Sequence, residues 1–123
     1  MNQEDIQELS ESLMEIGSEA AYRSAISRSY YSAFHAMRSD TNTVDLAKEP
    51  SGSHAVVTAK IKARYGKALA KHFHKMKLQR NSADYDLYKR FFEKDAVKMF
   101  HDRRSLLEEV ATLQADANNQ GEG

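Results

Sequence analysis

Two sets of side chains in this chain have the types and spacing for chemistry at a phosphate. Ser24, Arg28, Tyr31 and His35 fall at i, i+4, i+7 and i+11, one face of any helix that carries them. The second set is the run Arg80-Asn81-Ser82-Ala83-Asp84-Tyr85-Asp86. A guanidinium grips two phosphate oxygens at once, and an imidazole gives or takes a proton near neutral pH. Metal-free cleavage of a phosphodiester beside a ribose hydroxyl needs a base near that hydroxyl, an acid near the leaving oxygen and donors on the phosphate. Arg80 would hold the phosphate and His35 would titrate. Asp84, Tyr85 or Tyr31 would orient the imidazole, provided the two segments are neighbours. The same residues permit a second arrangement. Arg28 and Arg80 would pair with Asp84 or Asp86, Tyr31 and His35 would add hydrogen bonds, and the network would tie the chain after the third helix to the second helix without any reaction.

Other chemistries are excluded or poorly served. The chain has no cysteine, so disulfides, thiolate metal sites and a cysteine nucleophile are ruled out. His72 and His74, at i and i+2, point ~200° apart on a helix and cannot share a metal. His101, beside Asp102, reads as a surface or boundary residue, and His54, after Ser51-Gly52-Ser53, as a capping or packing residue. No Walker glycine loop, Gly-x-Ser-x-Gly elbow or His-Glu-x-x-His occurs. No metal and no cofactor is expected.

The elements that must position these groups read as helices. Ile6, Leu9, Leu13 and Ile16 make an apolar stripe over 3–16, with Gly17 ending the helix and Ser18 capping the next. Tyr22, Ile26, Tyr30, Ala33 and Met37, with Phe34 beside them, make the stripe of a helix over 19–39. Residues 40–52 read as a loop with the only proline, Pro50, and Ser51 or Ser53 as a cap. Val57, Ile61, Tyr65, Leu69, Phe73 and Met76 make a stripe over 54–79, compatible with one helix or with a break at Gly66. Residues 80–88 read as a turn, with Ser82 as a possible cap. A last helix over 90–116 carries Ala96, Met99, Phe100, Arg103, Leu106, Val110, Leu113 and Ala117. Residues 118–123 read as a frayed tail. The expected fold is all-α: a four- or five-helix up-and-down bundle, one domain over 1–117, built from 123 residues with five glycines and one proline. No run approaches the ~18 apolar residues of a membrane span, and the acidic start Met1-Asn2-Gln3-Glu4-Asp5 lacks a signal peptide's pattern, so a cytoplasmic protein is expected.

Charge is balanced in total and uneven in place. Residues 1–19 carry six acids and no Lys or Arg, while residues 51–83 carry eight bases and no acid. Lys60, Arg64, Lys67, Lys71 and Lys75 fall on a second stripe of the third helical segment. This is the composition of a phosphate-attracting surface, or of a face that packs beside the acidic first helix.

The run Tyr22-Arg23-Ser24-Ala25-Ile26-Ser27-Arg28-Ser29-Tyr30-Tyr31-Ser32-Ala33-Phe34-His35-Ala36, followed by Ser53-His54 and by Arg80-Asn81-Ser82-Ala83-Asp84-Tyr85-Asp86, resembles the HEPN family of small all-α prokaryotic domains. The likeness covers about residues 5–115. The resemblance implies a helical bundle that pairs into a homodimer. It further implies RNA as the ligand, toxin–antitoxin or phage-defence modules as the setting, and a nucleotidyltransferase-type antitoxin as a possible partner. Many members are metal-independent endoribonucleases whose signature is Arg, four to six residues, then His. Here Arg80 matches the arginine, but the histidine positions hold Tyr85, Asp86 and Leu87. The chain is closer to the branch with Asp-Tyr in that place, so both an endoribonuclease and a non-catalytic RNA- or partner-binding subunit stay open. Expected RNA contacts are Arg28, Tyr31, Asn81 and the stripe Lys60, Arg64, Lys67, Lys71 and Lys75.

Overall fold

A computed structural model describes residues 1–41 and 53–121, with side chains through 118. All its regular elements are helices: α1 (Gln3–Ser12), a 3₁₀ turn (Leu13–Ile16), α2 (Glu19–Asp40), α3 (Ser53–Tyr65), α4 (Lys67–Tyr85) and α5 (Glu93–Gly121). The expected all-α class is what is observed. Pro50 and Ser51 lie outside the described residues.

The first connections follow the sequence signals. Asn2 and Asp5 close a reciprocal capping box on α1, through bonds of 3.0 and 2.8 Å. Gly17, at φ 72°, takes the left-handed turn, and the Ser18 hydroxyl accepts the Ala21 N–H to start α2. The expected apolar stripe of the first helix is only half buried, however: Leu13 packs on the core and Ile6 is half-buried. Leu9 and Ile16 are exposed, and Gln7 and Ser10 are buried instead. The contact is made by small residues. Ser10 Oγ donates to the Ala25 carbonyl at 2.5 Å, and α2 offers Ala25, Ser29 and Ser32 along the seam. Close backbone approach replaces burial of long side chains there.

The helix α2 is the centre of the molecule, packing on α1, α4, α5 and, less extensively, α3. It buries Ile26, Tyr30, Ala33, Phe34 and Met37 against Val57 and Ile61 of α3, Leu69, Phe73 and Met76 of α4, and Ala96, Met99 and Leu106 of α5. Arg103 of α5 is buried at this seam. Its Nε donates to Ser32 Oγ (2.8 Å) and its Nη2 to Glu4 Oε1 (2.9 Å) and Gln3 Oε1 (3.3 Å), which joins α5 to α2 and to the start of α1.

The structure decides one boundary that the sequence left open and moves two others. The third segment breaks at Gly66, whose φ of 104° disfavours any residue with a Cβ, so the basic line divides between α3 and α4. The turn expected over 80–88 is helical through Tyr85. No glycine or proline occurs from 80 to 92, Arg80 and Asp84 pair at i and i+4, and Ser82 accepts a helical bond from Asp86 N–H (3.0 Å) rather than capping a new helix. The tail expected from 118 is part of α5, which continues to Gly121.

Candidate functional site

Arg80 lies one turn before the end of α4 and is almost wholly enclosed. Its Nη1 donates to Asn81 Oδ1 (2.8 Å) and its Nη2 to the Tyr31 hydroxyl of α2. Its Nε is 3.0 Å from Asp84 Oδ2, the distance of an ion pair, but the buried N–H has no aligned acceptor. Ser27 Oγ donates to the same carboxylate oxygen at 3.2 Å. Three tyrosine rings surround the guanidinium, with centroids 5.0 Å (Tyr31), 5.7 Å (Tyr30) and 5.9 Å (Tyr85) away, so cation–π attraction from three sides fixes its plane.

Beyond the guanidinium opens a hollow of about 250 Å³ lined by Tyr30, Tyr31, Phe34, Ser53, His54, Lys77 and Arg80. Among the described residues no carboxylate lines it. Ser53 and His54 are the first residues of α3, so the positive end of that helix adds to Lys77 and Arg80.

His54 is the imidazole that accompanies Arg80. Its ring stacks on Phe73 (4.8 Å, 18°) and lies 5.6 Å from the ring of His74. The hydrogen-bond pattern selects its tautomer. Thr58 Oγ1 has one proton, and it goes to the His54 carbonyl (2.8 Å). Thr58 must then accept from Nε2–H (3.1 Å), which leaves Nδ1 to accept from the Tyr30 hydroxyl (2.6 Å). Burial, followed by the positive charges of Lys77, His74 and Arg80, lowers the His54 pKa to about 4, so the ring is neutral at pH 7. Burial likewise raises the Tyr30 phenol, keeping its proton in place as the donor to Nδ1.

The composite site expected from sequence is therefore only partly assembled. Arg80, Asn81, Asp84, Tyr85 and Tyr31 come together as one network. His35 does not join them. It lines another hollow with Met1, Asn2, Gln3, Ile6 and Arg38, where burial and then Arg38 lower its pKa. The reason is rotation: Tyr31 and His35 share a stripe, but that stripe faces α4 at Tyr31 and the start of the chain at His35. Arg28 is exposed and forms no ion pair among the described residues.

The basic stripe is also divided. Lys60, Arg64, Lys67, Lys71 and Lys75 are all exposed. Arg64 turns back to Asp40, which it meets at the carbonyl (2.5 Å) and the carboxylate (3.7 Å). Lys71 and Lys75 line a hollow of about 280 Å³ between α4 and α5, with His72, Gln79, Lys98 and Asp102. At ~100° per residue, Lys71 and Lys75 project roughly 150° around α4 from Lys77 and Arg80. They do not extend the Arg80 hollow.

Sequence reading passed over three residues. His54 was read as a packing residue. It does pack, yet it also lines the hollow. Lys77 stands three residues before Arg80, a spacing that puts both on one helix face. Arg23, in the run that carries the family resemblance, holds the chain after α4. Its Nη1 donates to the carbonyls of Ala83 (3.0 Å) and Asp86 (2.9 Å), its Nη2 donates to that of Lys89, and its plane lies 4.6 Å over Phe91. The tie between α2 and that segment, expected of Arg28, is made by Arg23.

Among the described residues no three His, Asp or Glu side chains gather as a metal site, and no helix is long and apolar enough to cross a membrane. Comparison with known protein families, with curated proteins and with solved structures found no match.

Proposed function

We propose that this chain is a HEPN-like RNA-targeting protein of a toxin–antitoxin or phage-defence module, and that it holds an RNA phosphate in the hollow formed by Lys77, Arg80 and the first residues of α3. One observation carries the reading: two cations and a helix start converge on a hollow that no described carboxylate lines. The arginine and the Tyr-Tyr segment named by the family resemblance line it, and the Asp-Tyr pair stands behind them against the Arg80 guanidinium. Binding comes before cleavage in this reading, because both ring nitrogens of His54 are engaged and His35 lies elsewhere.

The test is RNA affinity as a function of salt for the wild type and Lys77→Gln. Each phosphate neutralised adds about 0.7 to the log–log slope on a single strand. The expected result is weaker binding and a shallower slope for the variant. Binding that ignores salt, or that Lys77→Gln leaves unchanged, removes the proposal.

A second reading, a metal-independent endoribonuclease, is favoured by one observation: a neutral imidazole lines the same hollow as the guanidinium. Incubation with total RNA in EDTA separates the two. The binding reading predicts no products. Products that disappear in both His54→Ala and Arg80→Ala would establish cleavage at this hollow. A homodimer and a nucleotidyltransferase-type partner belong to the same proposal, and light scattering of the isolated chain checks the first.

A further inference from the structure

The segment after α4 combines two properties that rarely occur together: its backbone is tightly held and its large apolar side chains are in water. The backbone is held by Arg23, as described, and by Glu19, whose Oε1 accepts the Phe91 N–H at 3.2 Å. Asp86 Oδ1 accepts the N–H groups of Tyr88 and Lys89, both at 3.2 Å. Phe91 alone turns inward. Tyr85 is 73 % exposed and Tyr88 100 %, while Phe92 is half-exposed. A rigid loop that leaves such rings uncovered forgoes hydrophobic stabilisation and pre-orders a surface for something else.

Three cations stand among the rings from Tyr88 onward, and of the three acids in the same segment Asp86 and Asp95 are turned to backbone N–H groups. Arg90 lies 5.7 Å and Lys94 5.6 Å from the Phe92 centroid, and Lys89 stands next to Tyr88 in the chain. Arg80 links the surface to the hollow, which it lines, since the Tyr85 ring is one of the three around its guanidinium. Rings interleaved with cations, beginning where a phosphate is held, suit a single strand of nucleic acid whose bases are unstacked. A protein interface would also use the rings and Arg90, but its core is depleted in lysine, and two of the three cations here are lysines. Duplex RNA keeps its bases stacked inside the helix and offers such rings nothing to lie on.

We propose that Tyr85, Tyr88 and Phe92 form a stacking platform for the bases of single-stranded RNA, with Lys89, Arg90 and Lys94 following its backbone. The proposal rests on the RNA reading above and names the form of RNA that the site takes. Tyr88 is fully exposed, so its replacement tests the platform without removing a buried side chain.

The experiment measures the affinity of the full chain for a labelled oligouridylate and for an RNA duplex of equal length, at fixed salt. Tyr88→Ala, Tyr88→Leu, Tyr88→Phe and Lys77→Gln are compared with the wild type. The single strand should bind about tenfold more tightly than the duplex. Tyr88→Ala and Tyr88→Leu should weaken it by about fivefold to a hundredfold, and Tyr88→Phe by less than about twofold, because stacking needs a π face and not merely apolar area. Equal affinity for strand and duplex overturns the platform. So does intact binding in Tyr88→Ala beside weakened binding in Lys77→Gln, a result that leaves the phosphate hollow standing. If Tyr88→Ala instead turns a dimer into a monomer without changing RNA affinity, the surface belongs to a second copy of the chain. If neither RNA binds at low salt, the RNA reading itself falls.

Discussion

Two cationic hollows flank α4, and they differ in what their charges do. The one between α4 and α5 has the larger number of lysines, Lys71, Lys75 and Lys98, but Asp102 also lines it. Asp102 Oδ2 accepts from Lys98 Nζ (2.8 Å) and Gln79 Nε2 (3.0 Å). Burial pushes the Asp102 carboxyl up, yet these bonds, with the charges of Lys98 and His72, bring it below its ordinary value. One of the three lysines is thus already paired with an anion. In the hollow between α2, α3 and α4 there are only two cations, Lys77 and Arg80, and the acid that balances Arg80, Asp84, is not among the lining residues. Local composition ranks the first hollow higher. The arrangement of the carboxylates ranks the second higher, because no described carboxylate faces an anion that enters it; Arg80 keeps Asp84 on its far side.

Charge reversal gives the largest separation between the two. Lys77→Glu should weaken RNA binding by more than about tenfold at low salt, since an introduced anion would face the phosphate in a partly buried setting. Lys75→Glu should weaken it by less than about threefold, because that site is exposed and screened. Comparable losses for the two variants would mean that the chain binds RNA by diffuse charge and that the hollows are equivalent.

A smaller effect sharpens the comparison from the other side. Asp102→Asn removes the anion that pairs with Lys98, so RNA affinity should rise by about twofold to threefold at low salt and return to the wild-type value as salt screens the freed lysine. No change would show that the α4–α5 hollow takes no part even when its lysines are released.

A separate readout, stability against pH, tests the setting of the hollow without RNA. His54 has a folded pKa near 4, below its ordinary 6.5. The unfolded chain therefore binds a proton in this window that the fold refuses. The stability His54 contributes is present above pH 6.5 and declines as pH falls toward about 4. His35 shifts in the same direction, so the contribution of His54 is the difference between wild type and His54→Gln. The thermal midpoint of the wild type should fall more steeply between pH 6.5 and 5 than that of the variant. Parallel profiles would mean that His54 is not held neutral by this hollow.

Much of the fold could be read from residue spacing, because burial imposes a period on α2, α3, α4 and α5. Val57, Ile61, Leu69, Phe73 and Met76 are buried as their spacing predicts. The first helical segment is the partial exception: Leu13 packs on the core as its spacing predicts, but a seam that seats Ser10 against Ala25 leaves no apolar signature, so Leu9 and Ile16 of the same stripe are exposed. The site was half legible. Arg80, Asp84 and Tyr31 meet, but Arg80 and Asp84 do so as an i, i+4 pair in a segment expected to be a turn, while Tyr31 stands on the polar stripe expected of α2. His54 was not legible, because its proximity to Arg80 depends on where α3 begins after residues 42–52, and no local spacing encodes that. Arg23 was hidden for a similar reason. Its partners are backbone carbonyls, which every residue possesses.

The central claim, that an RNA phosphate sits between Lys77, Arg80 and the start of α3, is tested most directly by following the backbone amide resonances of the whole chain while oligouridylate is added. The account predicts saturable shifts at Ser53, His54 and Lys77 that are lost in Lys77→Gln, with Ala68, Gln79 and Asp102 moving little. Shifts centred on Ala68, Gln79 and Asp102, or none at Ser53 and His54 while RNA is bound, would contradict it.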